Sequence, residues 1–497
     1  MNGNTTAETL ALVKDALRNG ASETMAKAIT TSTGLVAYDL QPSAKNLYPA
    51  ATPIRNVLPR VGGGTGTATN WRQVNAIIGS GWDAMGWVPE GQRSGRMSYN
   101  TSTRSASFAT IGEEDSVTFE AVSAAMGFED VQATATMRLL QKMMLKEENA
   151  FIGGNGSLQL GTPATPTLSA SGSGGTLAAA TYSVIVVALT YEGFRNSSLS
   201  GGVATAKSIT GADGGTFTLN GGSSAPSANA TQAVASGQTL FASVTPTTGA
   251  VGYAWYAGAA GSEKLQAITT INSTSFSAPL ATTNQAASAV TVDSSANPGL
   301  AYDGLLTSAL KASSGAYVNY LATGTAGTGT SLTSSGRGSV NEIDLMLEKM
   351  WDLYQVSPTV LYVNSQEQRN ITDRVLNASS TPLLRFTTDG QDPFAIIANG
   401  VVEYYYNPFA LDGGFKIPVK IHPFVPPGTI LGWAENLPAQ YQSSNVPNVA
   451  EVKTRRDYYR MDWPLKTRAY EFGVYAEEVL AVYAPFAMGV ITNIANG

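Results

Sequence analysis

Apolar residues recur at every fourth position from Val131 through Ala135 and Leu139 to Met143, so the spacing predicts a helix over 129–150 with one apolar face. Glu129 and Asp130 stand in its first turn and Lys142 and Lys146 towards its far end, each sign where the helix dipole favours it. Gly153-Gly154 then stops it. At about 1.5 Å per residue it runs about 30 Å, long enough to brace a domain. A second helix is predicted over 340–354, with Ile343, Met346, Met350 and Tyr354 on one face and a Ser339–Glu342 capping box at its start. Pro358 ends it, Thr359–Val363 reads as a buried strand, and a Ser365–Gln368 box opens a third helix to about Leu376. Near the N-terminus, Leu10, Val13 and Leu17 mark a short amphipathic helix. Four later runs, Val401–Tyr406, Phe415–Phe424, Thr429–Trp433 and Tyr470–Tyr483, are aromatic and β-branched, with Pro and Gly between them. These flanks read as α+β, with long helices and a mainly antiparallel sheet.

The pattern changes near residue 157. Ser157–Leu300 holds seven charged residues, out of 30 Lys and Arg and 36 Asp and Glu in the whole chain, and none of the 12 methionines. Such a shift marks a module with its own folding logic, inserted after the first long helix. Tyr182–Leu189, Phe241–Val244, Tyr253–Tyr256 and Thr269–Phe276 are β-prone runs bounded by Gly, Ser and Thr clusters. They argue for a small β-sandwich and against a disordered linker.

Composition narrows the chemistry. Among 497 residues there is no cysteine and one histidine, His422. Disulfides, thiolate nucleophiles and Cys-containing metal sites are excluded, and a Ser-His triad would depend on that single residue. A net charge of −6 argues against a dedicated nucleic-acid binder and against a polybasic membrane anchor. Glu8, Lys14 and Asp15 interrupt the first residues, so no signal-peptide core is expected, and no apolar run is long enough to span a bilayer.

Each chemically suggestive motif has a plainer reading. Gly62–Thr67 (GGGTGT) is rich enough in glycine to cradle a phosphate, but Ala68–Ile78 after it looks like a strand and no Walker-type lysine follows. We read it as a turn. Glu113-Glu114-Asp115 is read as a solvated acidic cluster just before a helical region. His422, between Ile421 and Pro423, is read as a packed or edge residue. Arg455, Arg456, Arg460, Lys466 and Arg468 are interspersed with Asp457, Asp462 and Glu471, which favours ion pairing between subunits along a strand over nucleic-acid binding. Trp71, Trp82 and Trp87 crowd a Gly-rich stretch, where they either dock onto another molecule or pack on their own domain. No catalytic, cofactor-binding or metal-ligating residue is assigned, and no enzymatic activity is expected.

The order of three motifs resembles the major capsid proteins of tailed bacteriophages with the HK97-like fold. These are Arg55–Val61 (RNVLPRV), Trp87–Gly91 (WVPEG) and the long helix closing in Asn149–Gly154. The resemblance implies an N-terminal arm over 1–60, a two-stranded E-loop over 71–115 and a spine helix over 116–156 that opens the P-domain. The rest of the P-domain and the A-domain would occupy 298–497. The insert, 157–297, looks like the immunoglobulin- or fibronectin-type domains that some phage coats carry. It would project from the shell exterior on Gly-rich hinges.

By that resemblance the chain self-assembles into hexamers and pentamers of an icosahedral shell enclosing double-stranded DNA. Assembly would occur in the host cytoplasm, and the protein would reside in the virion capsid. Its partners would be further copies of itself, a portal, a separate scaffolding or decoration protein, and the packaged DNA by non-specific contact, with no membrane and no cofactor. The subunit-interface residues expected are Trp82, Trp87, Arg93, Arg96, Arg104, Arg455 and Arg456. Some family members crosslink through an E-loop lysine, yet no lysine lies between Lys45 and Lys142 here, and Arg72, Arg93, Arg96 and Arg104 stay protonated. No such isopeptide network is expected. Two other readings stay open: an encapsulin-like compartment shell, against which the surface-type insert speaks, and an extracellular adhesin or surface-layer protein with an immunoglobulin-like domain, against which the lack of a signal peptide speaks.

Overall fold

Pro53 starts a five-residue helix, α1 (Pro53–Val57), because proline at the first turn gives up no helical hydrogen bond. The computed structural model describes residues 50–78, 86–126, 129–211, 214–335, 338–377, 385–386, 396–397, 402–409, 414–438, 441 and 448–495. The expected helix at Leu10–Leu17, most of the expected arm, Trp82 and Val401 lie outside those residues. The chain divides into two units, one of Met1–Pro49 with Glu120–Val131 and one of Ala50–Phe119 with Gln132–Gly497. Of the first, the described part is the remainder of a short helix, α2 (Phe119–Ala124), and the residues leading into the next helix. All that follows concerns the second.

Strand β1 (Arg60–Val61) precedes a long two-stranded ribbon, β2 (Ala68–Ile78) and β3 (Ser98–Ser107), and β4 (Ala109–Thr118) follows at once. The residues predicted as the first long helix form α3 (Val131–Gly153). Its predicted stripe of Ala135, Leu139 and Met143 is buried, and near its end Leu145, Glu147, Glu148, Phe151 and Ile152 are buried as well. The helix takes in Gly153, where the sequence suggests a stop. The Tyr191 ring lies so close that a β-carbon there would stand 2.3 Å from it.

The insert is a two-sheet antiparallel sandwich. Its strands are β5 (Thr167–Ala170), β6 (Ala180–Leu189), β7 (Ala230–Val234), β8 (Leu240–Ser243), β9 (Gly252–Gly258), β10 (Lys264–Thr269) and β11 (Ser273–Phe276), with a separate hairpin of Lys207–Thr210 and Thr216–Leu219. One sheet runs β11-β8-β5 and the other β10-β9-β6-β7, with Val184, Val186, Leu240, Trp255 and Phe276 in the core between them. Thr269–Phe276 is two strands: the chain turns after Thr269 and crosses to the other sheet. In an immunoglobulin constant domain the first, second, fourth and fifth strands share a sheet. Here the first pairs with the fourth and the fourth with the seventh. The sandwich architecture is shared, but the connectivity is not.

The insert's ends meet in a clasp rather than in Gly-rich hinges. The Asn297 amide donates to the Asn155 carbonyl (2.9 Å), and the Asn155 side chain donates to the Ser295 carbonyl (2.7 Å). Gly156 and Ser157 donate their backbone amides to Asp303, whose carboxylate also pairs with Lys311.

Beyond the insert come α4 (Leu305–Leu310), β12 (Tyr317–Tyr320), α5 (Asn341–Tyr354), β13 (Val360–Val363), α6 (Ser365–Asn377), β14 (Tyr404–Asn407), β15 (Phe415–Ile421), β16 (Ile430–Trp433), β17 (Ala450–Asp462), β18 (Ala469–Val482) and β19 (Met488–Thr492). Six of these strands form a mixed sheet, β12-β19-β16-β13-β15-β14. Leu361, Val363 and Ile417 on one of its faces pack with Met346 and Ile371 of α5 and α6, while Tyr362, Leu431 and Trp433 join the core that holds Phe151 and Ile152 of α3. A second sheet runs β1-β17-β18-β4.

Neither predicted capping box forms. Val340 is the N-cap of α5, and Glu342 instead accepts from the Thr333 amide and hydroxyl while Ser339 donates to Asp344. At α6 the cap comes one residue early: the Asn364 carboxamide oxygen accepts the Gln366 amide, and Gln368 reaches the Val402 carbonyl. Only the Gln368–Val402 bond joins residues distant in sequence; the other substitutes for the predicted boxes are themselves local.

Candidate assembly interface

The β2–β3 ribbon is a sheet of its own, paired from Ala68–Ser107 to Ile78–Ser98 with one register shift between Val74 and Ala76. Eleven residues at roughly 3.3 Å each carry it about 35 Å from its root. The root is anchored: Trp71 meets the Tyr483 ring edge-on at 5.2 Å, so this tryptophan packs on its own chain. Further out the cover ends. Val74 is 58% exposed, Ile77 68%, Met97 67% and Tyr99 63%, and every side chain from Gly86 to Asn100 is exposed. Trp87, at 90%, is almost fully in solvent. An isolated two-stranded ribbon is marginal in water, and an apolar tip of this size is rare on a monomer.

The arginines expected at interfaces fall into two groups. Arg93 and Arg96 lie exposed in the segment between the ribbon strands, and Arg104 lies exposed on β3 opposite Trp71. Arg455 and Arg456 lie on β17 and are engaged within the chain. Arg455 pairs with Glu477 (2.6 Å), donates to the Gly66 carbonyl (2.9 Å) and sits over the Phe108 ring, and Arg456 covers Tyr459. Arg460 pairs with Asp462 and covers Phe472. Arg455 and Arg460 each hold an ion pair within the chain. Gly62–Thr67 is a turn feeding a strand: the Gly64 amide donates to the Thr454 carbonyl, and Gly63 and Gly66 take positive φ. The element it leads into is the strand Ala68–Ile78, not a helix.

Glu113-Glu114-Asp115 lies within β4, which runs directly into the helix α2 at Phe119. Glu113 pairs with Lys146 of α3 (2.5 Å) and Glu114 accepts from the Tyr475 hydroxyl, while Asp115 is exposed. Among the described residues, no group of His, Asp and Glu is placed to hold a metal ion, and no helix is long and apolar enough to cross a membrane.

A buried polar cluster fixes the segment that leads to the ribbon. Glu147, Glu148 and Glu478 are all fully buried. Glu148 accepts the Ile54 and Arg55 amides (2.9 and 2.7 Å), capping α1 from a helix 94 residues away. It also meets His422 Nε2 at 2.6 Å. His422 Nδ1 accepts the Phe424 amide, so the ring proton sits on Nε2 and is donated to Glu148. His422 therefore has a partner that no local motif announced. Glu147 accepts from Arg55 (2.5 Å), Arg60 (3.3 Å) and the Tyr458 hydroxyl, and both guanidiniums lie over the Tyr458 ring. Glu478 accepts from Arg60 (3.0 Å) and the Tyr302 hydroxyl (2.8 Å), and Arg60 also reaches Asp457 (2.7 Å). Burial, reinforced by the negative charge of Glu147, pushes the Glu478 carboxyl up to about 8.

No family model matches the chain, and no curated protein matches it. Among solved structures it is similar to the capsid of the native GTA particle, with 9% identity over 96% of this chain and 99% of that one and a TM-score of 0.39. It is also similar to the capsid of cyanophage A-1(L), with 12% identity over 94% and 99% and a TM-score of 0.41. A third is the SrpI encapsulin of Synechococcus elongatus PCC 7942, with 9% identity over 94% and 96% and a TM-score of 0.40.

Proposed function

We propose that this chain is the major capsid subunit of a tailed bacteriophage, with the HK97-like fold, and that it works by self-association. One observation carries the reading: a ribbon anchored at its root by Trp71 presents an apolar tip that the described residues of its own subunit leave uncovered. Burying a large apolar side chain is worth about 1.5–3 kcal/mol, so Val74, Ile77, Trp87, Met97 and Tyr99 together supply on the order of 10 kcal/mol of drive before association costs. A neighbouring copy supplies the covering surface in a closed, symmetric assembly. The chain order of ribbon, long helix and mixed sheet supports E-loop, spine helix and A-domain roles for them. Hexamers, pentamers and enclosed double-stranded DNA belong to the same reading; of the expected arm, residues 53–60 pack on their own subunit.

Electron microscopy and analytical ultracentrifugation of the purified full chain test it. Shells or capsomers are expected. A protein that stays monomeric at all concentrations, with no particles in the expressed material, would overturn the reading. Nucleic-acid content of the particles separates a genome container from a compartment loaded with protein.

A further inference from the structure

We propose that Glu478, buried beside Glu147 on the same Arg60 guanidinium, holds a proton that latches residues 53–61 onto the subunit body, and that losing this proton releases the segment. The inference does not rest on the shell reading, because every group belongs to one chain.

The charge balance motivates it. Arg55 and Arg60 are the two guanidiniums in the cluster, and they face four carboxyls: Glu147 and Glu148 from α3, Glu478 from β18 and Asp457 from β17. Three of the four are fully buried. Among the described residues the other titratable groups facing the cluster are Tyr191, Tyr302, Tyr362, Tyr458 and His422, and they contribute no cation to redress the balance. Tyr302 and Tyr458 donate neutral hydroxyls, and the His422 ring uses Nδ1 as an acceptor and so carries one proton. With every carboxyl ionised, two negative charges would remain uncompensated, at a desolvation cost of several kcal/mol per ion. Keeping one proton is the cheaper state.

The arrangement also places that proton. Glu148 accepts three donors that carry no net charge, the Ile54 and Arg55 amides and His422 Nε2–H, so its ionised form is well served. Glu147 and Glu478 share the Arg60 guanidinium, one on Nη1 and one on Nη2, but Glu147 also holds Arg55, so Glu478, with Arg60 and the neutral Tyr302 hydroxyl, is the less compensated of the two. Arg60 Nε, buried without a partner, gives no further help. When the proton leaves, repulsion between Glu147 and Glu478 is relieved by water entry, and the element most easily displaced is the short α1–β1 segment. Its hold on the body rests on the Glu147, Glu148 and Glu478 contacts, on Asp457 and Tyr458 of β17, on a two-residue parallel pairing of β1 with β17, and on the packing of Ile54 and Leu58.

Hydrogen exchange of the full-length protein, read at the Ile54 and Arg55 amides, tests the latch. After correction for intrinsic base catalysis, the open population of this segment should rise at least about tenfold between about pH 6 and about pH 9. Glu478→Gln has no proton to lose and retains an acceptor for Tyr302, so its profile should be flat. Should that variant fail to fold, Glu147→Gln serves the same purpose with the same expectation. A flat wild-type profile, or a rise that persists in the glutamine variants, overturns the proposal. So does an equal rise at the sandwich amides of Val186 and Ala188, which would signal global unfolding.

Discussion

Asn272 of the insert and Asn493 of the body form a reciprocal, fully interior pair. The Asn272 backbone amide donates to Asn493 Oδ1 (2.8 Å), and Asn493 Nδ2 donates back to Asn272 Oδ1 (3.0 Å) and to the Leu321 carbonyl (2.6 Å). Asn272 Nδ2 in turn reaches Thr323 Oγ1 (2.8 Å). Asn493 adopts a left-handed backbone (φ 65°), a conformation asparagine tolerates better than most residues. The insert is therefore stitched to the body far from its covalent neck. Arg195 over the Phe424 ring and the Tyr191 hydroxyl on Asn149 add further stitches.

Replacing Asn493 with glycine keeps the backbone geometry and removes only the side chain. The expected loss is about 2–3 kcal/mol, because Asn272 is left with buried, unanswered groups. Urea denaturation measures it, and a change under about 0.5 kcal/mol would show the pair to be incidental.

Polar substitution at the ribbon tip separates assembly from folding. Trp87→Ser with Ile77→Thr should leave monomer stability within about 0.5 kcal/mol, since both side chains are already in water. Sedimentation should show the large species depleted. Unchanged assembly would remove the ribbon tip from the interface.

Glu147→Ala strips Arg55 and Arg60 of a buried partner, and a destabilisation of about 3–5 kcal/mol is expected. Thermal unfolding reads this directly. A loss below about 1 kcal/mol would mean that water replaces the carboxylate without difficulty.

Stability should also fall on the alkaline side. The folded state binds the Glu478 proton more tightly than the unfolded chain does, so the associated stabilisation is complete below the ordinary carboxyl range and declines as pH rises towards about 8. Melting temperatures of wild type and Glu478→Gln should diverge in slope across that window. Parallel curves would contradict it.

With no lysine between Lys45 and Lys142, denaturing gels of assembled particles should show a single subunit band. A ladder of covalent multimers would refute this.

Local pattern determined much of this protein. The four-residue period from Val131 to Met143 specified α3 and its buried face, and the strands at Thr359–Val363 and Tyr470–Tyr483 followed from β-branched and aromatic runs. The fall in charge after residue 157 marked the sandwich, because a small β core needs few ions. Absent lysines are equally plain in the sequence. Tertiary structure alone decided the rest, since those interactions join residues far apart in the chain. Nothing local marks Glu147 and Glu148; Arg55, Arg60 and His422 meet them only in the folded chain. Asn272 and Asn493 carry no local signal at all. Pattern reports which faces seek burial, but a buried polar group finds its partner only once the chain has folded, and that partner decides whether it is a cap, a clasp or a proton store.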